Sequence, residues 1–242
     1  MSKRFGAVQA LTDVDFELHA GEVVALVGDK GAGKSTLAKT IAGSLIPDEG
    51  RMVFDGRPVR LHGPSDATAL GIATVYQDLA LCDNLDVVAN LFLGREPTTR
   101  VDTLDELDME VSSQSLLDRL SIAIPSVRTP VASLSGGQRQ SIAVARAAMG
   151  EPRVVLLDEP TAALGVAQTA QVLELIVALR AQGMGVVVIS HSLNEVFEVS
   201  DRIVVLRLGR RVATFRTADT TTDAVVAAIT GVGAGPTLEE GA

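Results

Sequence analysis

The chain has a single cysteine, Cys82, in 242 residues. An intrachain disulfide is therefore impossible, and a zinc site built on cysteines lacks ligands, which fits a reducing compartment. Basic stretches are also missing. The formal charge is −9 and the isoelectric point is near 4.8. A surface of that sign repels phosphates, which argues against a general grip on nucleic acid. Long apolar runs are absent too: the two strongest, 22–27 and 183–189, fall far short of the roughly 20 residues that cross a bilayer. No apolar run of signal-peptide length follows Lys3 and Arg4, so export is not expected. No internal repeat stands out. What is plentiful is apolar residues, 47% of the chain, enough to bury the core of one domain with room for an inserted lobe.

Along the chain, Val14, Phe16 and Leu18 alternate with Asp13, Asp15 and Glu17, the pattern of a half-buried strand. The turn His19-Ala20-Gly21 leads into the apolar run Val23-Val24-Ala25-Leu26-Val27, a buried strand. A glycine-rich loop, 28–33, and a helix over 34–42 follow, with Gly43 as a stop. Asp55-Gly56 between 52–54 and 59–61 signals a hairpin. From about 79 to 148 strand signals fade, and 87–93, 104–120 and 138–149 have helical spacing, which predicts an inserted helical lobe. Short β-branched runs return at 153–157, 185–189 and 202–206, with a helix over 166–181 presenting Val172, Ile176 and Leu179 on one face. Alternating strands and helices imply a parallel sheet covered on both sides. A closing hairpin at Gly209 is expected, and 231–242 reads as a flexible tail.

Two segments carry chemistry. Gly28-Asp29-Lys30-Gly31-Ala32-Gly33-Lys34-Ser35 fits the phosphate-loop pattern G-x-x-x-x-G-K-[ST] and stands between a buried strand and a helix, where that pattern is meaningful. Backbone N–H groups and the helix N-terminus, through Thr36, would receive phosphate, Lys34 would reach the β and γ phosphates, and the Ser35 hydroxyl would face Mg²⁺. Farther on, the strand run 153–157 ends in Asp158-Glu159. An acidic pair after a strand is by itself usually a solvated loop. Beside a phosphate loop it supplies a Mg²⁺ carboxylate, Asp158, and a general base for water, Glu159.

Leu134-Ser135-Gly136-Gly137-Gln138 precedes a helix and makes a second place where backbone N–H groups could meet phosphate. These residues resemble the signature sequence of the ABC ATPases, and their position upstream of Asp158 is similar to that family's order. The resemblance implies a P-loop NTPase of ABC type: an α/β fold with a parallel central sheet, a small antiparallel sheet and a helical lobe. It also implies a head-to-tail homodimer in which Ser135, Gly136, Gly137 and Gln138 of one copy close over ATP held by the other. Gln77, in Tyr76-Gln77-Asp78, resembles the glutamine that contacts Mg²⁺ and senses the membrane partner. His191, after Val188-Ile189-Ser190, resembles the histidine that holds the γ phosphate and the attacking water. Taken alone, His191 reads as a cap or solvent-facing residue, since Ser190 and Asn194 are good turn formers, and His19 and His62 stay at that reading. Phe5 resembles the aromatic that stacks on adenine, or is a core residue.

The chain departs from the family at Thr161-Ala162-Ala163-Leu164-Gly165, where relatives often carry a serine and then an aspartate, and it begins close to Phe5, where relatives have a further strand. Asn90-Leu91-Phe92-Leu93-Gly94-Arg95-Glu96 and 161–166 resemble the ATPases of ribose- and fructose-type monosaccharide importers, which often fuse two ATPase halves where this chain has one. The resemblance therefore implies ATP and Mg²⁺, permease subunits in the membrane, indirectly a solute-binding protein, and a peripheral place on the cytoplasmic face of the membrane. A soluble ABC-type ATPase, an importer of another solute and an ATP-sensing module without turnover remain alternatives.

Overall fold

The computed structural model describes residues 1–99 and 102–232. The expected tail from 233 onward lies outside the described residues. The chain opens on an antiparallel pair, β1 (Lys3–Phe5) and β2 (Val8–Leu11), joined through Gly6 at positive φ. Phe5 thus sits inside a strand pair that begins at Lys3, and the bridge Ser2↔Glu49 ties its start to the body. The alternating segment from Val14 to Leu18 is not a strand. Its burial does alternate, with Val14 buried and Asp15 and Glu17 exposed, but no neighbouring strand pairs with it, so the pattern reports a chain lying on the core rather than a ladder.

Every side chain of β3 (Val23–Val27) is buried, as a strand covered on both faces requires. Helix α1 (Lys34–Ile41) follows the glycine loop, then the hairpin β4 (Met52–Phe54) and β5 (Arg57–Val59). The second hairpin strand begins at Arg57, two residues earlier than expected, because Asp55 and Gly56 both take positive φ and close a two-residue turn. Helix α2 (Pro64–Ala69) and strand β6 (Ile72–Val75) were not anticipated: each is short, and a four-residue strand carries too little pattern to stand out. Three helices then fill the stretch before the next strand: α3 (Val87–Phe92), α4 (Glu106–Arg119) and α5 (Gly136–Ala148).

The remaining elements are β7 (Val154–Asp158), α6 (Val166–Ala181), β8 (Gly185–Ile189), α7 (Leu193–Val199), β9 (Arg202–Arg207), β10 (Arg210–Arg216) and α8 (Thr222–Thr230). The central sheet runs β10-β9-β3-β8-β7-β6, parallel except for β10, which pairs back on β9 through the expected turn at Gly209. One face packs Val23, Val155, Leu157, Val186 and Val188 against α3, α5 and α6, including Val172, Ile176 and Leu179 as the spacing predicts. The other face packs Val24, Leu26, Leu156, Val187 and Ile189 under Leu37 of α1. Burying both faces leaves the strand ends as the accessible part of the sheet. No helix among the described residues is long and apolar enough to cross a membrane.

Candidate functional site: a phosphate loop facing an acid–histidine pair

In a parallel sheet, ligands gather beyond the carboxyl ends of the strands. Here β3, β7 and β8 end in register, with Leu26 beside Ile189 and Asp158 beside Ile189. The residues that leave these strands are therefore brought together: the loop 28–33 after β3, Asp158 and Glu159 at the end of β7, and Ser190-His191 after β8.

The phosphate loop is shaped by close approaches. Gly28 has φ 146°, and a Cβ there would overlap the carbonyl oxygen of Leu206. Gly33 has φ 105° at the cap of α1, and a Cβ would lie 2.8 Å from the Ala10 carbonyl oxygen and 2.8 Å from a methyl of Leu11. The β1–β2 hairpin thus braces the back of the loop, with Thr12 N–H donating to Gly209 O at 2.7 Å and Gly209 N–H to Ala32 O at 3.1 Å. Asp29, Lys30 and Gly31 are exposed at the loop tip, Ala32 is buried, and Thr36 is half-buried. Lys34 is 6% exposed, and its ammonium donates to the carbonyls of Gly28 at 2.6 Å and Asp29 at 3.0 Å. Burial lowers its pKa, while Glu159, Asp29 and Asp158 push it back up. Ser35 is exposed at the first turn of α1.

Across from this loop, the imidazole Nε2 of His191 lies 2.6 Å from Oε1 of Glu159. Glu159 has φ 53°, a left-handed backbone that is costly for a side-chain-bearing residue, and its N–H donates to Ile189 O at 2.9 Å. That bend parts Glu159 from Asp158, so two adjacent carboxylates take different surroundings. Burial raises the pKa of Asp158, and Lys39, Lys34 and His191 oppose the rise. Lys39 had no motif to reveal it; only the turn of α1 brings it near Asp158.

Two expected residues are exposed, with side chains that make no hydrogen bond to this cluster among the described residues. Gln77 is exposed just past the end of β6 and makes no hydrogen bond among the described residues. Phe5 is 46% exposed, with the Lys3 ammonium 5.7 Å from its ring centre, so it is not a core residue. The signature residues form the start of α5 as a capping box: Ser135 Oγ accepts from Gln138 N–H at 3.2 Å, and Gln138 Oε1 accepts from Ser135 N–H at 3.0 Å. Gly136 and Gly137 pack near Leu164 and Gln168, and no hydrogen bond among the described residues joins 135–138 to 28–36.

The site thus offers a backbone anion cradle, a buried cation, and an acid–histidine pair at one edge of a sheet. The family profile described as ABC transporter matches residues 11–162, from the strand ahead of the phosphate loop to just past Glu159. The chain belongs to the ABC transporter family. Among curated relatives, this ABC chain is 50% identical over 208 residues to the xylose/arabinose import ATP-binding protein XylG of Sulfolobus acidocaldarius, covering 86% of this chain and 82% of that protein. It is 45% identical over 236 residues to the fructose import ATP-binding protein FrcA of Rhizobium meliloti, covering 95% and 91%. A putative ribose/galactose/methyl galactoside import ATP-binding protein of Burkholderia lata is 43% identical over 96% of this chain but only 45% of its own length. Among solved structures, the ADP conformation of MJ1267, an ATP-binding cassette of an ABC transporter, superposes with a TM-score of 0.81 at 26% identity over 95% of this chain and 92% of that one. The dimeric post-hydrolysis state of the cassette MJ0796, bound to ADP and Pi, gives 0.73 at 25% identity over 89% and 95%. The expected ABC-type α/β fold is therefore met, and the chain is an ABC ATPase. His191 lies beyond the stretch that the family profile matches, so its place beside Glu159 is a finding of the structure.

Proposed function

We propose that this ABC ATPase hydrolyses MgATP at the cluster of Lys34, Asp158, Glu159 and His191, and that it energises uptake of a monosaccharide through permease subunits in the membrane. The observation that carries the reading is the 2.6 Å contact of Glu159 with His191 facing the phosphate loop. The import ATP-binding relatives support sugar as the solute class, since proteins named for xylose/arabinose and for fructose match nearly end to end.

Chemically, hydrolysis of the γ phosphate needs charge stabilisation on its oxygens and an in-line water. The loop N–H groups from Gly31 to Thr36 and the Lys34 ammonium hold the phosphates and spread their charge. Glu159 accepts a proton from the attacking water, and His191 fixes the carboxylate and faces the γ phosphate. The donor set fits a hard, largely phosphate- and water-bound ion: an exposed hydroxyl, Ser35, and a half-buried carboxylate, Asp158, with no cluster of three or more His, Cys, Asp or Glu among the described residues. Ser35 and Asp158, with Gln77, would hold Mg²⁺, which supplies charge neutralisation at the phosphate oxygens. The similarity to the dimeric cassette MJ0796 supports a homodimer, in which the Ser135 loop would close on ATP bound to the second copy, with Phe5 beside the adenine. A cavity of about 230 Å³ lined by Thr74, Tyr76, Asp78, Leu93, Arg95 and Arg146 adjoins Gln77 and is the proposed seat of the permease, on the cytoplasmic face of the membrane. A solute-binding protein would act only through that permease.

The test is the steady-state ATPase rate of the chain against its own concentration, with E159Q as the blank. A specific rate that climbs with concentration and falls by at least about a hundredfold in E159Q is expected. An E159Q rate equal to wild type would remove Glu159 from its role.

A further inference from the structure

Glu159 and His191 leave the sheet on different loops, so something must hold their contact. One side chain bridges both loops. Glu195, in the first turn of α7, accepts a hydrogen bond at Oε2 from Thr161 Oγ1 at 2.5 Å, and the Ser190 hydroxyl donates to the same oxygen at 3.4 Å. Thr161 is two residues past Glu159, and Ser190 immediately precedes His191. The contacts close a ring: Glu159 to Thr161 through Pro160, across to Glu195, back to Ser190 and His191, and from His191 to Glu159 at 2.6 Å. Ser190 is 5% exposed, while Thr161 and Glu195 are half-buried.

The bland alternative is that Glu195 caps its own helix. The sequence Ser192-Leu193-Asn194-Glu195 has capping-box spacing, in which the glutamate returns to the N–H of the cap residue. It does not do so here. The Ser192 N–H donates instead to Ser190 Oγ at 3.0 Å, and Ser192 makes no side-chain cap. Glu195 is turned outward to a different loop, at the expense of its local role. That loop continues to Leu164, which lies against Gly136 of the signature segment.

We propose that Glu195 is a positioning residue for hydrolysis: it clamps the loops of Glu159 and His191 through Thr161 and Ser190 and so keeps the acid–histidine pair aimed at the phosphate loop. The inference rests on the functional reading above. Displacing a catalytic group by an ångström or so costs up to about a hundredfold in rate without weakening substrate binding. In the full-length chain, E195A and T161V should therefore each lower kcat about tenfold or more, with KM for MgATP within about twofold. E195Q, which keeps an acceptor oxygen for both hydroxyls, should lose less than E195A. In an H191A background E195A should add little, because both changes act on one pair. A kcat for E195A within twofold of wild type, or an undiminished E195A effect in H191A, overturns the clamp.

A second readout does not need turnover. The chain has three histidines, so the imidazole resonance of His191 can be assigned by its loss in H191A. It should move in E195A and in T161V while those of His19 and His62 stay in place. An unmoved His191 resonance refutes the proposal even if the rates fall, and T161V, nearly isosteric, carries the test should E195A fold poorly. A wild-type chain without turnover in which the resonance still responds would sink the functional reading and uphold the clamp.

Discussion

Replacing Asn90 by alanine should destabilise the chain by about 3 kcal/mol, although Asn90 touches no proposed ligand. Asn90 is 0% exposed on α3, and its amide knits the turn ahead of that helix. Oδ1 accepts from Cys82 N–H at 2.7 Å, and Nδ2 donates to the carbonyls of Cys82, Asp86 and Leu85 at 3.0, 2.9 and 3.3 Å. The three carbonyls have other donors, from Leu85, Asn90 and Val131 N–H respectively to Cys82, Asp86 and Leu85. Among the described residues the Cys82 N–H has no other acceptor, so alanine strands one half-buried donor, costing about 2 kcal/mol, and removes weaker bonds and packing worth about 1 kcal/mol more. For a chain of this size that lowers the melting temperature by roughly 6–12 °C. The assay is calorimetry of the ligand-free chain, with N90D alongside. Aspartate keeps the acceptor for Cys82 but turns an oxygen toward three carbonyl oxygens, so at neutral pH it should be at least as damaging as alanine. A melting temperature for N90A within about 2 °C of wild type, or a benign N90D, would refute the reasoning.

Further outcomes follow from the same geometry. S135A should lose the N-cap of α5, about 1 kcal/mol, and lower the melting temperature by about 2–4 °C even without nucleotide. G28A, at φ 146° with no space for a Cβ beside Leu206, should cost at least about 3 kcal/mol and abolish binding of a fluorescent ATP analogue in titration. Burial raises the pKa of Asp158 above the ordinary 3.8, so its contribution to stability is full below that value and is lost as pH rises through the folded one. Melting temperature against pH should therefore flatten over that window in D158N, and an unchanged profile would contradict the burial argument. Lys34 has the opposite sign: depressed below 10.5 by burial, it contributes stability above that value that is lost as pH falls through the folded pKa, and K34M should remove this slope.

The parts of the molecule that were legible beforehand share one property: their signal is local. The run Val23-Val24-Ala25-Leu26-Val27 could only be a strand covered on both faces, and the glycine spacing after it could only be a tight loop before a helix. The hairpin at Asp55-Gly56 and the helix Val166–Ala181 were readable for the same reason, since turn chemistry and a 3.6-residue period are written in consecutive residues. Val14 to Leu18 shows the limit of that reading. Alternation reports which side chains are buried, and burial came out as expected, but a strand needs a neighbour along its whole length, and among the described residues the backbone partner is Met1, which meets the segment at Val14 alone. Short β6 carries little signal because its identity comes from β7 beside it rather than from its own four residues.

The site divides along the same line, and the division says where its control lies. The phosphate loop is a contiguous motif and was visible as such, whereas the contact of Glu159 with His191 joins residues 32 apart whose proximity is made by the register of β7 with β8. Glu195 lies further from recognition still, because its local sequence advertises a helix cap that the folded chain does not use. A residue that forgoes a favourable local bond for a distant one marks a place where tertiary structure has overridden propensity, and such places concentrate at working sites. The strained φ of 53° at Glu159 is a second such place, two residues from Thr161. Strain at the proposed base, a bridging carboxylate behind it and a histidine in front of it form one unit. Loosening any member should therefore slow hydrolysis more than it weakens ATP binding, which depends on the separate cradle from Gly28 to Thr36.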